Sequence, residues 1–163
     1  MLGDFASVSA TFASLYPEAE IIDNSGKPTG QRVARTNEDQ IAFSGTLKSG
    51  VVVSFHFRAG LSDAKPGRVP FVWVIDGEES TIKVEGGSSF YHVLHPKNVF
   101  IKGEKWVPEQ PLVDFTGNTE AAWGEIAKGK QGDYATFDDA VRVHKVLDAV
   151  RRSAHEGIRV NID

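Results

Sequence analysis

Apolar and polar residues alternate along the first part of the chain. Phe5 to Tyr16 has the period-2 pattern of a half-buried β-strand. Gln40 to Leu47 and Val51 to Ala59 are two β-rich runs, and the segment between them ends in Gly50, which tolerates the positive φ of a short turn. This spacing predicts a first strand and then a β-hairpin.

A second hairpin is predicted further along, where Asp76-Gly77 lies between Val69 to Ile75 and Ser80 to Glu85. Asp23 to Gly30 is rich in Asn, Ser, Gly and Pro and is predicted to be a loop. Shorter β-rich runs interrupted by proline and glycine predict edge strands at Phe90 to Leu94, Val99 to Ile101 and Lys105 to Val107.

Helical periodicity replaces the alternation near the end of the chain. Asn118 to Lys128 predicts a short helix, and Phe137 to Glu156 a long one with Thr136 as N-cap and Gly157 after its end. A last strand is predicted from Ile158 to Ile162. The residues expected to pack the long helix on a sheet are Ala140, Val143, Leu147, Val150 and Ala154.

Many strands followed by two helices are typical of the α+β class. We expect a single domain over residues 1–163, built as an open, mostly antiparallel β-sheet with helices packed on one face. The other face would be available for dimerisation or for a ligand, because two helices cannot cover both faces. Exposed Val, Phe and Trp side chains would form an apolar patch that soluble monomers rarely tolerate, so the sequence predicts a homodimer through the open sheet face.

Composition narrows the choice of partners. The chain of 163 residues has a net charge of −4, so it offers no basic field for nucleic acid. No apolar run approaches the ~20 residues that a membrane-spanning helix needs, and none is expected. The absence of cysteine excludes disulfides and thiol nucleophiles and is compatible with a cytoplasmic location, which we predict.

Cofactor and metal motifs are missing from the sequence. There is no Gly-x-Gly-x-x-Gly motif and no strand-helix-strand opening, so no cofactor-binding residues are expected in this chain. His92 and His95 have a spacing that could share a metal ion if the segment turns, but no third ligand is evident. We therefore predict no metal site.

Candidate chemistry depends on histidines and on cationic or aromatic strand residues. The candidate acid–base catalysts are His56, His92 and His95. The candidate substrate-binding residues are Arg58, Trp73, Lys83 and Tyr91. Arg58 in the middle of a strand needs an anionic ligand or an acidic partner such as Asp76 or Glu85, and Trp73 at strand spacing is also consistent with core or interface packing.

Several segments match a known family in their order and spacing. They are Leu2 to Phe5, Gly45 to Gly50, Ser54 to Gly60, Trp73 to Ile82, Phe137 to His144 and Leu147 to Val150. Together they resemble the C-terminal domain of the Gfo/Idh/MocA oxidoreductases, in the fungal branch that includes the galactose-pathway repressor. The resemblance covers nearly the whole chain and implies an open sheet backed by helices, which in that family forms dimers or larger oligomers.

The same resemblance implies parts that this sequence does not match. Family members are similar in having an N-terminal Rossmann domain for NAD(P), a Glu-Lys-Pro motif with a catalytic lysine, and an Asp-x-x-x-His helix. Here Met1 stands where that helix would end, and the lysines before Pro28 and Pro66 follow Gly26 and Ala64 rather than Glu. Hydride transfer is therefore assigned to no residue of this chain, and NAD(P) is expected only if a Rossmann domain is supplied.

Three functions remain open. The leading hypothesis is a stand-alone truncated domain that acts without nucleotide as an isomerase, cyclase or lyase on a small metabolite. The alternatives are the C-terminal half of an NAD(P)-dependent oxidoreductase and a non-catalytic regulatory or binding module. A pocket lined by His56, Arg58 and Trp73 would favour an enzyme, whereas a flat apolar face would favour a module.

Overall fold

The computed structural model describes residues 2–59, 67, 69–87, 96–107 and 115–163. Their strands are β1 (Phe5–Ala13), β2 (Glu18–Ile22), β3 (Pro28–Ala34), β4 (Gln40–Leu47), β5 (Val52–Arg58), β6 (Phe71–Asp76), β7 (Thr81–Gly86), β8 (Pro96–Ile101), β9 (Glu104–Trp106) and β10 (Val160–Asn161). Their helices are α1 (Phe115–Ala127), a 3₁₀ turn (Gly129–Gln131) and α2 (Phe137–Glu156). Antiparallel sheets with two α-helices confirm the α+β class.

Two compact units make up the chain. The first comprises residues 1–61 and 135–163, and the second comprises residues 62–134. The strands form a four-stranded sheet of order β10-β1-β4-β5 and a β2–β3 hairpin in the first unit, and a four-stranded sheet of order β6-β7-β8-β9 in the second. All the strand pairs described are antiparallel.

The core of the first unit lies between α2 and the sheet. Val8 of β1 pairs with Val160 of β10 and is fully buried against Ala149 and Val150 of α2. Phe43 and Phe55 extend the same side of the sheet onto β4 and β5, and their rings stack 4.9 Å apart. We call this side, which carries Val8, Ala10, Phe12, Ile41, Phe43, Val53, Phe55 and Phe57, the helix-side face.

The opposite side of the first sheet is polar. Because successive side chains of a strand point to opposite faces, the strand register assigns the small hydroxyl residues to one surface. We call it the hydroxyl face, and it carries Ser7, Ser9, Thr11, Gln40, Ala42, Ser44, Thr46, Val52, Ser54, His56 and Arg58. The expected apolar open face is therefore not found on the first sheet.

Helix α2 begins and ends where the sequence predicted. Thr136 and Asp139 form a capping box, and Gly157 takes the left-handed conformation with φ 67°. The packed side was predicted only in part: Val150 is buried as expected, whereas Val143 and Leu147 are exposed, and Ala149 and Ser153 are buried in their place. Ser153 is one of the residues that face the sheet, so the side of α2 that packs does not coincide with the predicted hydrophobic stripe.

Both predicted hairpins are confirmed, as β4–β5 and β6–β7. The loop predicted at Asp23 to Gly30 is shorter than expected, because Pro28 already begins β3. The Asp23 carboxylate accepts hydrogen bonds from the backbone N–H groups of Ser25 and Lys27 and closes a tight turn there. The strand predicted at Phe90 to Leu94 lies outside the described residues.

The second sheet has one strongly apolar side. Trp73, Val84, Val99 and Trp106 lie opposite one another across β6 to β9. We call this side, which carries Phe71, Trp73, Ile75, Ile82, Val84, Val99, Ile101 and Trp106, the apolar face. The other side alternates charged and apolar residues, since Val74, Lys83, Phe100 and Lys105 lie opposite one another there.

Candidate functional site

The hydroxyl face brings two of the predicted site residues together. His56 lies opposite Ala42, in the same row as Thr11, and Arg58 lies opposite Gln40 two residues further along β5. Both side chains are exposed. Within their unit, neither forms an ion pair among the residues that the structure describes. The shared strand face of His56 and Arg58 that the sequence predicted is confirmed, whereas their roles stay predictions.

A second arginine, which the sequence analysis missed, lies on the same face. Arg159 donates from Nε and Nη2 to the Ser7 hydroxyl over 2.9 and 2.5 Å and from Nη2 to the Thr46 hydroxyl over 3.0 Å. Ser7 and Thr46 also share a hydrogen bond of 3.0 Å. No local pattern indicates this cluster, because its three residues come from β1, β4 and the segment before β10.

The second unit holds two further predicted site residues. Trp73 lies on the apolar face, and Lys83 lies on the other side of the same sheet. Lys83 Nζ is 2.7 Å from a carboxylate oxygen of Glu85 and 5.8 Å from the centre of the Phe100 ring. Lys83 is therefore already engaged by an acid and an aromatic ring, and the two residues do not share a surface.

The remaining predicted site residues, His92, His95 and Tyr91, lie outside the described residues. Their roles stay predictions, as does the metal-compatible spacing of the two histidines. Among the residues that are described, no group of three or more His, Cys, Asp or Glu side chains is placed to hold a metal ion.

A buried carboxylate that the sequence did not single out organises the first unit. Asp39 is fully buried, and its two oxygens accept the backbone N–H groups of Leu15 at 3.0 Å and Tyr16 at 2.7 Å. Burial alone raises the pKa of Asp39, but the hydrogen bonds from Leu15, Gln40 and Tyr16 and the charge of Arg35 outweigh it and hold the pKa below its ordinary value. Asp39 fixes the exit of β1 and is structural.

The N-terminus of α2 is capped by its own residues and does not fit a pyrophosphate group. Pyrophosphate needs a helix N-terminus with free N–H groups after a glycine-rich turn. At α2 the side chain of Thr136 accepts the N–H of Asp139, and the Asp139 carboxylate accepts the N–H of Thr136. The Asp139 carboxylate, whose pKa is lowered to about 2 chiefly by the hydrogen bonds that it accepts from the Thr136 hydroxyl and from the Thr136 N–H, occupies the position of an anion. In the described segments, no helix is long and apolar enough to cross a membrane.

Known proteins are similar to this chain over long segments of its sequence. Residues 1–86 match the family described as Gal80p, C-terminal domain. The chain is 27% identical to the dehydrogenase aclE of Aspergillus oryzae over 96% of its own length and 43% of that protein. It is 36% identical to the galactose/lactose metabolism regulatory protein GAL80 of Saccharomyces cerevisiae over 55% of its own length and 20% of that protein.

Solved structures extend the similarity to the whole chain. A super-repressor mutant of Gal80p from Saccharomyces cerevisiae superposes with a TM-score of 0.78 at 26% identity, covering 99% of this chain and 45% of that one. The aldose-aldose oxidoreductase from Caulobacter crescentus shares the fold alone, with a TM-score of 0.67 at 16% identity over 98% of this chain and 42% of that one. The chain thus spans less than half the length of these relatives, and the resemblance inferred from the sequence is confirmed.

Proposed function

Since this chain belongs to the Gal80p C-terminal domain family, we propose that it is a non-catalytic regulatory and binding module that forms a homodimer through the apolar face of its second sheet. The observation that carries the proposal is the exposure of that face. Trp73 and Trp106 are 42% and 43% exposed, and Ile82 and Ile101 are 38% and 37% exposed. Contiguous apolar side chains of this size favour a protein partner.

The distribution of charge favours the apolar face over the hydroxyl face as the dimer interface. A twofold dimer apposes the same patch of both copies, so a patch of one charge sign repels itself. His56, Arg58 and Arg159 are the ionisable side chains found on the hydroxyl face, and no carboxylate accompanies them among the residues described there. On the apolar face Glu104 lies at the rim, beside Ile101, and the centre is uncharged. Two copies of the apolar face can therefore meet without burying like charges.

Aromatic side chains supply the binding energy that such an interface needs. Interface hot spots are enriched in tryptophan, because a large ring loses much water-exposed surface at a low entropic cost. Trp73 and Trp106 lie in the same row across the sheet, separated by Val84 and Val99. In a face-to-face dimer this row would be buried.

Two observations support a regulatory role: the family to which the chain belongs, and the lack of an acid–base pair at His56 among the described residues. The matched GAL80 proteins are named as regulators of galactose and lactose metabolism. The isomerase, cyclase or lyase hypothesis is less well supported, because His56 has no carboxylate in its unit, among the described residues, to orient it or share its proton. The cytoplasmic location remains a prediction.

A second function is favoured by the similarity to the dehydrogenase aclE, which extends over 96% of this chain. In that case these 163 residues would be the substrate-side half of an NAD(P)-dependent oxidoreductase, and the nucleotide would bind to a separate Rossmann domain. This alternative predicts turnover when the chain is joined to such a domain. The module predicts assembly without turnover.

The proposed dimer is tested by light scattering on the untagged chain at micromolar concentration. We expect a mass near twice 17.8 kDa for the wild type and near 17.8 kDa for Trp73→Glu, because a charge at the centre of the face cannot be buried. Trp123→Glu is the matched control, since Trp123 lies on α1 of the same unit and is 65% exposed.

The control variant should remain dimeric, and circular dichroism should show both variants folded. A monomeric wild type would refute the proposed assembly. Equal dissociation of both variants would also refute it, because the effect would then follow from added charge and not from the apolar face.

A further inference from the structure

We propose that Arg159, Ser7 and Thr46 form a binding site for a small oxyanion, the phosphate or carboxylate group of a metabolite, on the hydroxyl face of the first sheet. The site is independent of the proposed dimer, because it lies on a different sheet from the apolar face. Arg159 is exposed, whereas Ser7 is 3% exposed, so an accessible cation is held by a buried hydroxyl.

The hydrogen-bond directions at this cluster can be assigned from the chemistry of the groups. Arginine only donates, so Ser7 Oγ accepts from both Nε and Nη2 of Arg159, which uses its two lone pairs. Ser7 must then donate its own hydrogen to Thr46 Oγ1, 3.0 Å away. Thr46 Oγ1 also accepts from Nη2 of Arg159 at 3.0 Å, so its two lone pairs are used as well.

The hydroxyl hydrogen of Thr46 is consequently a donor without an acceptor among the residues described. The chain of hydrogen bonds runs from Arg159 through Ser7 to Thr46 and ends in this donor, beside the remaining N–H groups of the guanidinium. A site that offers donors and a positive charge binds oxyanions, because their charged oxygens accept hydrogen bonds. Donors in series also polarise one another, and this strengthens the terminal donor.

The surroundings leave space for a small ligand. A depression of about 180 Å³ is lined by Ser9, Ser44, Gly45, Thr46, Val52 and Arg159. No carboxylate is within ion-pairing distance of Arg159 among the described residues, although the chain has 22 acidic and 18 basic residues. The guanidinium thus lacks a carboxylate partner among the described residues and lies beside a hydroxyl-lined depression, where an external anion can supply the opposite charge.

Arg58 is too far from Arg159 to belong to the same site. Arg58 lies on the same face, but its row is that of Ala13, six residues along β1 from the row of Ser7. At ~3.4 Å per residue the two rows are ~20 Å apart, so one phosphate cannot contact both arginines. Arg58 therefore serves as a matched control with the same charge, face and exposure.

The test is a titration of the full chain with inorganic phosphate at constant ionic strength, followed by NMR at the Arg159 Nε–H and the Thr46 amide. We expect saturable shifts in the millimolar range. Arg159→Gln should weaken binding at least tenfold, and Thr46→Val should weaken it several-fold, because valine keeps the shape and removes the donor. Thr46→Ser and Arg58→Gln should leave the phosphate affinity measured at these two resonances as it is in the wild type, whether or not Arg58 binds an anion elsewhere.

Two outcomes would overturn the site. Equal weakening by Arg58→Gln and Arg159→Gln would mean that phosphate samples a diffuse cationic surface, and the absence of saturable shifts would mean that no site exists. Succinate, titrated in the same way, separates the two sources of the oxyanion. Shifts at the same resonances support a carboxylate-tolerant site, and shifts with phosphate alone support a phosphate site. Thermal unfolding of each variant checks that the fold is retained.

Discussion

The hydroxyl of Ser153 accepts a hydrogen bond from the backbone N–H of Ala10 over 2.9 Å. The same hydroxyl donates to the carbonyl of Ile158 over 2.5 Å, and the side chain is 1% exposed. Strand β10 pairs with β1 at Ser7 and Val8. Beyond that point Ser153 takes the place of a neighbouring strand, and one side chain joins α2, β1 and the segment that leads into β10.

Replacing this serine should therefore destabilise the first unit. Ser153→Ala removes the side-chain partner of both the Ala10 N–H and the Ile158 carbonyl, and the loss of these two hydrogen bonds costs about 1–3 kcal/mol in the free energy of unfolding. The midpoint of thermal unfolding, measured by circular dichroism, should fall by about 2–4 °C for each kcal/mol lost.

Ser54→Ala is the control for this variant. Ser54 is an exposed serine on β5, and its removal should change the free energy of unfolding by less than about 0.5 kcal/mol. Equal unfolding midpoints for the two variants would show that Ser153 does not join the elements as described.

Locally encoded features could be predicted from the sequence. The β4–β5 hairpin needs only alternation and Gly50, whose φ is 89°. The bounds of α2 need only Thr136 and Gly157, because capping and the left-handed stop act within one turn of the helix. Such signals depend on neighbouring residues and survive without knowledge of the tertiary fold.

Features set by tertiary contacts could not be predicted. The stripe through Val143 and Leu147 has helical spacing, but those residues are 57% and 50% exposed. The packed side contains Ser153, which is buried because it hydrogen-bonds to β1. A search for hydrophobic periodicity cannot identify such a residue, because serine is polar. Arg159 and Thr46 are 113 residues apart in sequence and meet only through strand register.

A glycine at a close backbone approach gives a second prediction. A Cβ added to Gly45 would lie 2.3 Å from the carbonyl oxygen of Ser7 and 3.2 Å from side-chain atoms of Phe5 and Val8. Gly45→Ala should thus push β4 away from β1 and lower the free energy of unfolding by about 1–3 kcal/mol. Urea unfolding followed by circular dichroism measures the change.

Gly124→Ala provides a control of opposite sign. A Cβ at Gly124 meets nothing within 4 Å, and the residue lies within α1. Alanine should favour the helix by about 0.5–1 kcal/mol. If Gly45→Ala were as stable as the wild type, the close approach of Ser7 would not constrain the sheet.

The capping box of α2 gives a third prediction. Thr136→Ala removes the hydroxyl that accepts the N–H of Asp139 at 3.3 Å, and we expect a loss of about 1 kcal/mol in the free energy of unfolding. Thr136→Ser retains the hydroxyl and should restore most of this stability. A serine variant as unstable as the alanine variant would assign the effect to the lost methyl group and not to the cap.

The buried carboxylate of Asp39 makes the stability of the first unit depend on pH. Its pKa in the folded chain lies below the ordinary value of 3.8, so the folded state favours the charged form more than the unfolded chain does. The stabilisation is fully present above the unfolded value and is lost as the pH falls through the lower folded value. The sign follows from the N–H groups of Leu15 and Tyr16, which need a charged acceptor.

Asp39→Asn should accordingly be less stable than the wild type at pH 7, and the difference should shrink between pH 5 and pH 2. Urea unfolding over this range measures both proteins under the same conditions, so that other acidic groups cancel in the comparison. Asp148→Asn, an exposed change on α2, controls for net charge and should change the free energy of unfolding only slightly at pH 7. A gap between the wild type and Asp39→Asn that stayed constant down to pH 2 would mean that the carboxylate stabilises the fold by its shape and not by its charge.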